Sequence, residues 1–353
     1  MNSSIASQSS FKRQWHIRAV HRHSRTNDTQ YMRQNYWNEN PNSFAETVQL
    51  VKNYVADEIK RETKAKQLYY HTLDHSLAVQ RRANYIFLQL KSVLSQSQST
   101  QELERLKILV DLCALAHDMV QLFDLHSKVD RPRRHISGQS EIKTVNKLLQ
   151  YIQNLNQQLA TYKVTNSILF NNSDRQIIQD AILATICQLD PQAGKAKYSF
   201  STFSVYQPYL YDPKPKISIV GSIVALADLG TLGMEGVESY IRDGILIFLE
   251  DNLDLKKLII YGDRANLDQT SVKIRLLNMA KFMVNFAKER SARFELEISS
   301  FAPTARQILR EKVFIYLNPE SIAKIEKIVP TDDSTSLPTL IDFFRLNEKP
   351  DLV

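Results

Sequence analysis

An all-α fold of roughly nine or ten helices is the architecture this sequence predicts, and three observations predict it. The 353 residues include only 8 Gly and 11 Pro, too few turn formers to punctuate many short strands. Apolar side chains recur at helical rather than alternating spacing in one segment after another. A hydrophobic share of 43% and a charged share of 24% suit a chain that closes around a sizeable core.

The first helix falls within residues 41–63, where Phe44, Val48, Val51, Tyr54 and Val55 share a face. Residues 76–94 repeat the pattern through Val79, Ala83, Ile86, Phe87 and Leu90, and the Ser/Gln stretch 95–101 reads as a loop. Residues 102–117 are the most apolar, with Leu106, Leu109, Val110, Leu112, Leu115 and Ala116 leaving little polar face, so this helix belongs at the centre. After a basic loop at 131–134, helices are expected at 140–158, 173–188, 217–229, 237–251 and 271–299. The aromatic, Pro-containing stretch 193–215 reads as a long loop or lid. One or two further helices follow Pro303, ahead of a polar run at 330–338. The expected organisation is a basic, disordered tail (1–40), one main domain (41–300) and a C-terminal helical extension with a short tail (301–353).

The net charge of +7 is partly a property of that tail, where Lys12, Arg13, Arg18, Arg22, Arg25 and Arg33 face only Asp28. A solvated extension is the plain reading of it; a transit peptide or a nucleic-acid-contacting arm are the sharper ones. No apolar core follows the early basic residues and no apolar run approaches bilayer length, so a soluble, cytoplasmic protein without a membrane partner is expected. Cys113 and Cys187 sit in apolar segments without metal-knuckle spacing, which fits buried, reduced thiols rather than a catalytic one.

Three constellations carry chemistry. In Tyr70-His71-Thr72-Leu73-Asp74-His75, two imidazoles stand four apart at the start of an apolar-periodic segment, and helical spacing would aim both at one site. One imidazole of such a pair can hold a metal while the other exchanges a proton; a surface or capping role is the plainer reading of the pair alone. His117-Asp118 follows the most apolar helix, where a buried imidazole and carboxylate cost several kcal/mol unless a cation satisfies both. Asp228 ends the run Ile223-Val224-Ala225-Leu226-Ala227-Asp228, an unfavourable place for a carboxylate without a cationic partner. Each has a bland explanation, but the three together require three separate ones.

Taken in order, Tyr70-His71-Thr72-Leu73-Asp74-His75-Ser76-Leu77-Ala78-Val79, Leu115-Ala116-His117-Asp118 and Ala227-Asp228-Leu229 resemble the HD-domain metal-dependent phosphohydrolases, a helical-bundle family, and within it the phosphodiesterase-like members. The resemblance spans about residues 63–294, including Phe286-Ala287-Lys288-Glu289-Arg290 near its end. It implies His75, His117, Asp118 and Asp228 as ligands of one or two divalent ions (Mn, Mg, Zn or Fe), with His71 as general acid. It also implies Glu141 as a site-facing carboxylate that orients water. Thr72 stands where the phosphodiesterase motif has Asn, and no His-Pro-Gly follows His117-Asp118, so cyclic-nucleotide specificity is not implied. The substrate implied is a nucleotide or another small phosphorylated molecule.

Arg131, Arg133 and Arg134 lie on the loop after His117-Asp118, where they either grip substrate phosphates or form a solvated basic loop. His126 and His135 on the same loop are candidates for a second metal, or exposed loop histidines. Gln188, Tyr206 and Gln207 are weaker pocket candidates, and Lys288, Arg290 and Arg293 read as surface salt-bridge residues of one helix. Alternatives to the hydrolase are a metal-binding regulatory module without turnover, a di-iron oxygenase recruiting His126 and His135, and a nucleic-acid-binding protein, for which no recognition motif accompanies the basic tail. The oligomeric state is not legible.

Overall fold

The computed structural model describes residues 40–124, 132–189, 205–211, 217–261 and 268–348. Among these are thirteen α-helices and one two-stranded ladder, so the chain is all-α. The helices are α1 (Phe44–Lys66), α2 (Leu73–Leu94), α3 (Thr100–Ala116), α4 (Gln139–Thr161), α5 (Asn172–Leu183), α6 (Ile219–Asp228), α7 (Thr231–Glu235), α8 (Val237–Asp251), α9 (Leu253–Tyr261), α10 (Gln269–Glu297), α11 (Pro303–Ile308), α12 (Pro319–Ile328) and α13 (Leu337–Phe343). The expected count of nine or ten was low because α7, α9 and one of the three short C-terminal helices were not foreseen. Pieces of five to ten residues show little periodicity of their own. The helix expected over 173–188 stops at Leu183, because the Thr185 hydroxyl donates back to the Ile182 carbonyl (2.8 Å). The chain then enters β1 (Gln188–Leu189), which pairs antiparallel with β2 (Val205–Tyr206).

The centre is helical on all sides. Helix α3 packs against α1, α2, α5 and α6, and α2 also packs on α6. In α6, Val220, Ile223, Val224 and Leu226 are fully buried, each stabilising the fold by roughly 1.5–3 kcal/mol. Ser99 and Asn171 open α3 and α5 with reciprocal capping boxes, which fixes where those helices begin. A second apolar cluster joins Phe248 of α8, Met283 of α10, Ile325 of α12, and Leu340 and Phe344 of the C-terminal segment, so residues 301–348 share the core of the helices before them.

Gly138 precedes α4 at φ +78°, a conformation that costs L-residues about 1 kcal/mol or more. An added Cβ would meet Ile186 Cδ1 only at 3.4 Å, ordinary contact, so the penalty there is conformational. Gly138→Ala should therefore lower unfolding stability by about 1 kcal/mol in a denaturant titration. No helix among the described residues is long and apolar enough to cross a membrane.

Candidate metal centre

Three helix ends meet at the site. His75 lies in the first turn of α2, His117 and Asp118 follow the last residue of α3, and Asp228 is the last residue of α6. A helix C-terminus carries unsatisfied carbonyls and the negative end of the dipole. Two such ends, each with a carboxylate, make a spot that calls for positive charge. The end of α6 is held by Arg82, a buried α2 residue whose Nε donates to the Ala227 carbonyl (2.7 Å) and whose Nη1 donates to Glu235 (2.9 Å). Replacing Arg82 with Met should cost about 3 kcal/mol in unfolding stability, since it strips charge-assisted bonds from buried carbonyls.

The ligating atoms of His75, His117, Asp118 and Asp228 all lie within 4.8 Å of one another, and these buried and half-buried groups can hold a metal ion. Asp118 Oδ2 is 2.9 Å from His117 Nε2 and 3.3 Å from His75 Nε2, while Asp228 Oδ1 is 3.4 and 3.7 Å from the same two atoms. Ligands bonded at about 2.0–2.2 Å around one ion stand roughly 3–3.5 Å apart, so little rearrangement is needed.

The fit of a cation can be tested on the nitrogens. His117 Nδ1 donates to the Ala114 carbonyl (2.9 Å), which assigns its proton and leaves the Nε2 lone pair facing the carboxylates. The Nε2 atoms of His75 and His117 are both buried and have no hydrogen-bond partner among the described residues. An orphaned buried nitrogen aimed at a carboxylate is unfavourable until a cation or a proton stands between them. Burial alone would lower the His117 pKa, but the carboxylates of Asp118 and Asp228 push it well up. Burial likewise opposes the charge on Asp118, yet His117 and His71 hold its carboxyl well below the usual range. Despite burial, the His117 and His75 rings bring Asp228 to about 2. Two imidazoles and two carboxylates form a donor set suited to a divalent transition ion.

The carboxylates are also tethered. Gln121 Nε2 donates to Asp118 Oδ1 (3.1 Å), and Gln207 Nε2 donates to Asp228 Oδ2 (2.9 Å). Gln207 was a weak pocket candidate from sequence; it is fully buried against the site.

His71 reaches the site by a different route from the one expected. Helix α2 begins only at Leu73, so His71 precedes it and the helical pairing with His75 does not exist. Glu250, near the end of α8, holds the turn instead. Its Oε2 accepts from the backbone N–H groups of Tyr69, Tyr70 and His71 (3.0, 2.9 and 3.0 Å), and its Oε1 lies 2.5 Å from His71 Nδ1. The other nitrogen, Nε2, stands 3.9 Å from Asp118 Oδ2. Burial lowers the His71 pKa, but Glu250 and Asp118 raise it to about 10; Glu250, opposed by burial and favoured by His71, falls to about 2.

The remaining candidates divide. Glu141 sits half-buried in the first turn of α4; burial raises its pKa, and Asp118 and Asp228 add to the rise. Arg133 lies over the Phe123 ring (4.9 Å), with its pKa lowered by burial and supported by Glu250 and Asp251, and its N–H donates to the Asp251 carbonyl (2.7 Å). The Arg134 side chain is exposed. Arg131 and His126 lie outside the described residues. His135 stands with its ring 5.4 Å from that of His71 and its Nε2 3.4 Å from Asp251 Oδ1; with His71 and Glu250 it forms a second group able to hold an ion. Gln188 is exposed on β1. Lys288 pairs with Glu326 and Arg293 with Glu289, as expected of a surface face, whereas Arg290 is buried. Of the thiols, Cys113 is buried and Cys187 only half-buried, because the helix that was to enclose it ends before reaching it. Compared with known proteins, the chain matches no family model, no curated protein and no solved structure.

Proposed function

We propose that this chain is a metal-dependent phosphohydrolase of the HD type, cleaving a phosphate ester or anhydride of a nucleotide or similar small molecule. One observation carries the reading: side chains from three distant stretches bring two carboxylates and two buried, unpartnered imidazole nitrogens within 4.8 Å. His75, His117, Asp118 and Asp228 would hold the ion. When bound, a divalent ion supplies Lewis acidity, making hydroxide accessible near neutral pH and offsetting phosphoryl charge.

The chain's own groups supply the rest. His71 is oriented through Nδ1 by Glu250, so Nε2 is the atom that hands a proton to the leaving oxygen. Gln121 and Gln207 each occupy one carboxylate oxygen of Asp118 and Asp228, leaving the other for the ion. Glu141 would orient the attacking water, and Arg133 would meet substrate charge.

The test is turnover. Protein loaded in turn with Mn, Mg, Zn or Fe should hydrolyse at least one member of a panel of nucleotides, cyclic nucleotides, 4-nitrophenyl phosphate and its diester. Bound metal with no turnover anywhere in the panel would point to a binding module and remove the hydrolase reading.

A further inference from the structure

Away from the metal centre, one buried charge is short of hydrogen bonds. Arg290 of α10 is 4% exposed, and its Nε, Nη1 and Nη2 all lack a hydrogen-bond partner among the described residues. Its one counter-charge among the described residues, Glu297 Oε2, lies 2.9 Å from Nη1 outside hydrogen-bonding alignment. The other oxygen of Glu297 accepts from the Tyr211 hydroxyl (2.7 Å). A guanidinium carries five N–H donors in a planar fork; burying it without hydrogen bonds costs several kcal/mol that a lone ion pair does not return.

The arginine is tied to the metal centre by one short segment. Residues 205–211 place Gln207 on Asp228 Oδ2 and Tyr211 on Glu297, with the Tyr206 ring 5.3 Å from that of Tyr211 and 5.9 Å from the Arg293 guanidinium. Gln207 and Tyr211 are separated by a single 3-10 turn, a rise of roughly 8 Å. Cys187 reports on both charges: burial pushes its thiol up, Asp228, Glu141 and Asp118 add to that, and Arg290 opposes them.

We propose that Arg290 is the anion receptor of this site, taking a phosphate group of the substrate on its unused donors while the scissile phosphoryl group lies at the four-residue cluster. The inference rests on the phosphohydrolase reading and deepens it to a substrate with a second anionic group one turn of chain away, such as a nucleoside diphosphate or a bisphosphate. Phosphate supplies the acceptor oxygens that the guanidinium lacks, and the planar fork matches them two at a time.

The test uses inorganic phosphate on the 353-residue chain stripped of metal, where the carboxylate cluster repels anions and the part of the binding that depends on Arg290 is read by comparison with variants. Calorimetry should detect binding to the wild type. The paired replacement Arg290→Met with Glu297→Gln removes both charges together and keeps an acceptor for Tyr211, so it avoids leaving a buried charge. It should weaken phosphate binding at least about ten-fold, as expected for losing a charge-assisted pair, while Glu297→Gln alone retains binding. Binding within about two-fold of wild type in the paired variant, or none in the wild type, overturns the proposal. If the paired variant fails to fold, isotope-labelled arginine in the wild type decides. One buried guanidinium resonance should move as phosphate is added, and no movement overturns the proposal. Turnover of 4-nitrophenyl phosphate by metal-loaded wild-type protein reports separately on the hydrolase reading, so either idea can fail without the other.

Discussion

Asp118→Ala is expected to leave a folded protein that no longer retains a divalent ion and no longer turns over any substrate. Asp118 Oδ2 is the atom common to the cluster, 3.3 Å from His75 Nε2, 2.9 Å from His117 Nε2 and 3.9 Å from His71 Nε2. Its loss removes one of four ligands and half the negative charge that the two converging helix ends present. A four-ligand site cut to three, only one of them anionic, should lose at least about 10³-fold in affinity, a difference of ~4 kcal/mol. Two measurements check this. Elemental analysis after gel filtration should show metal in the wild type and none in the variant. Adding Mn to about 100 times its dissociation constant should stabilise the wild type by roughly 2.7 kcal/mol and leave the variant's melting temperature unmoved. Undiminished turnover by Asp118→Ala would remove the assignment of this cluster altogether.

Three of the four clustered residues, His117, Asp118 and Asp228, stand out in the sequence because each breaks a local rule. Asp228 closes a helix in which every residue from Val220 to Ala227 is buried, and His117-Asp118 follows another; polar groups so placed stand out without any coordinates. Glu250 obeys the same logic, ending the run Ile245-Leu246-Ile247-Phe248-Leu249, and that was the available signal. It went unread because its partners, the backbone N–H groups of residues 69–71, lie about 180 positions away and carry no side-chain signature. The His71 and His75 pair shows the converse error. Four-residue spacing suggested one helix face, but Thr72 is extended (φ −109°, ψ 173°) and caps α2, so the two rings converge by tertiary tethering rather than by helical repeat. Arg290 was assigned to the surface together with Lys288 and Arg293, yet it stands in helical register with the buried Met283, Ala287 and Phe294, and that register was the signal available. Helix existence was legible wherever a long apolar stripe had to find a partner. The short helices α7, α9 and α13 are too brief to show such a stripe and were not.

The identity of the leaving group should decide how much His71 and Glu250 matter, and this separates a proton donor from a structural histidine. A leaving oxygen of high basicity, as in an alkyl phosphate ester, must be protonated as it departs. A 4-nitrophenolate needs no such help. His71→Ala should therefore lower kcat on an alkyl ester by about 10²–10⁴-fold and leave kcat on the 4-nitrophenyl ester nearly unchanged, with metal content intact. Glu250→Gln tests the same proton one step further out. The amide keeps an oxygen for the three backbone N–H groups of residues 69–71, so the turn survives, but its nitrogen can only donate toward His71 Nδ1. That imposes the neutral tautomer with its proton on Nε2, a far weaker acid than the imidazolium. The expected loss is about 10–100-fold, confined again to the basic leaving group and expressed in kcat rather than KM. Equal losses on both esters would show that Glu250 shapes the turn without serving the proton, and His71 would lose its role as general acid.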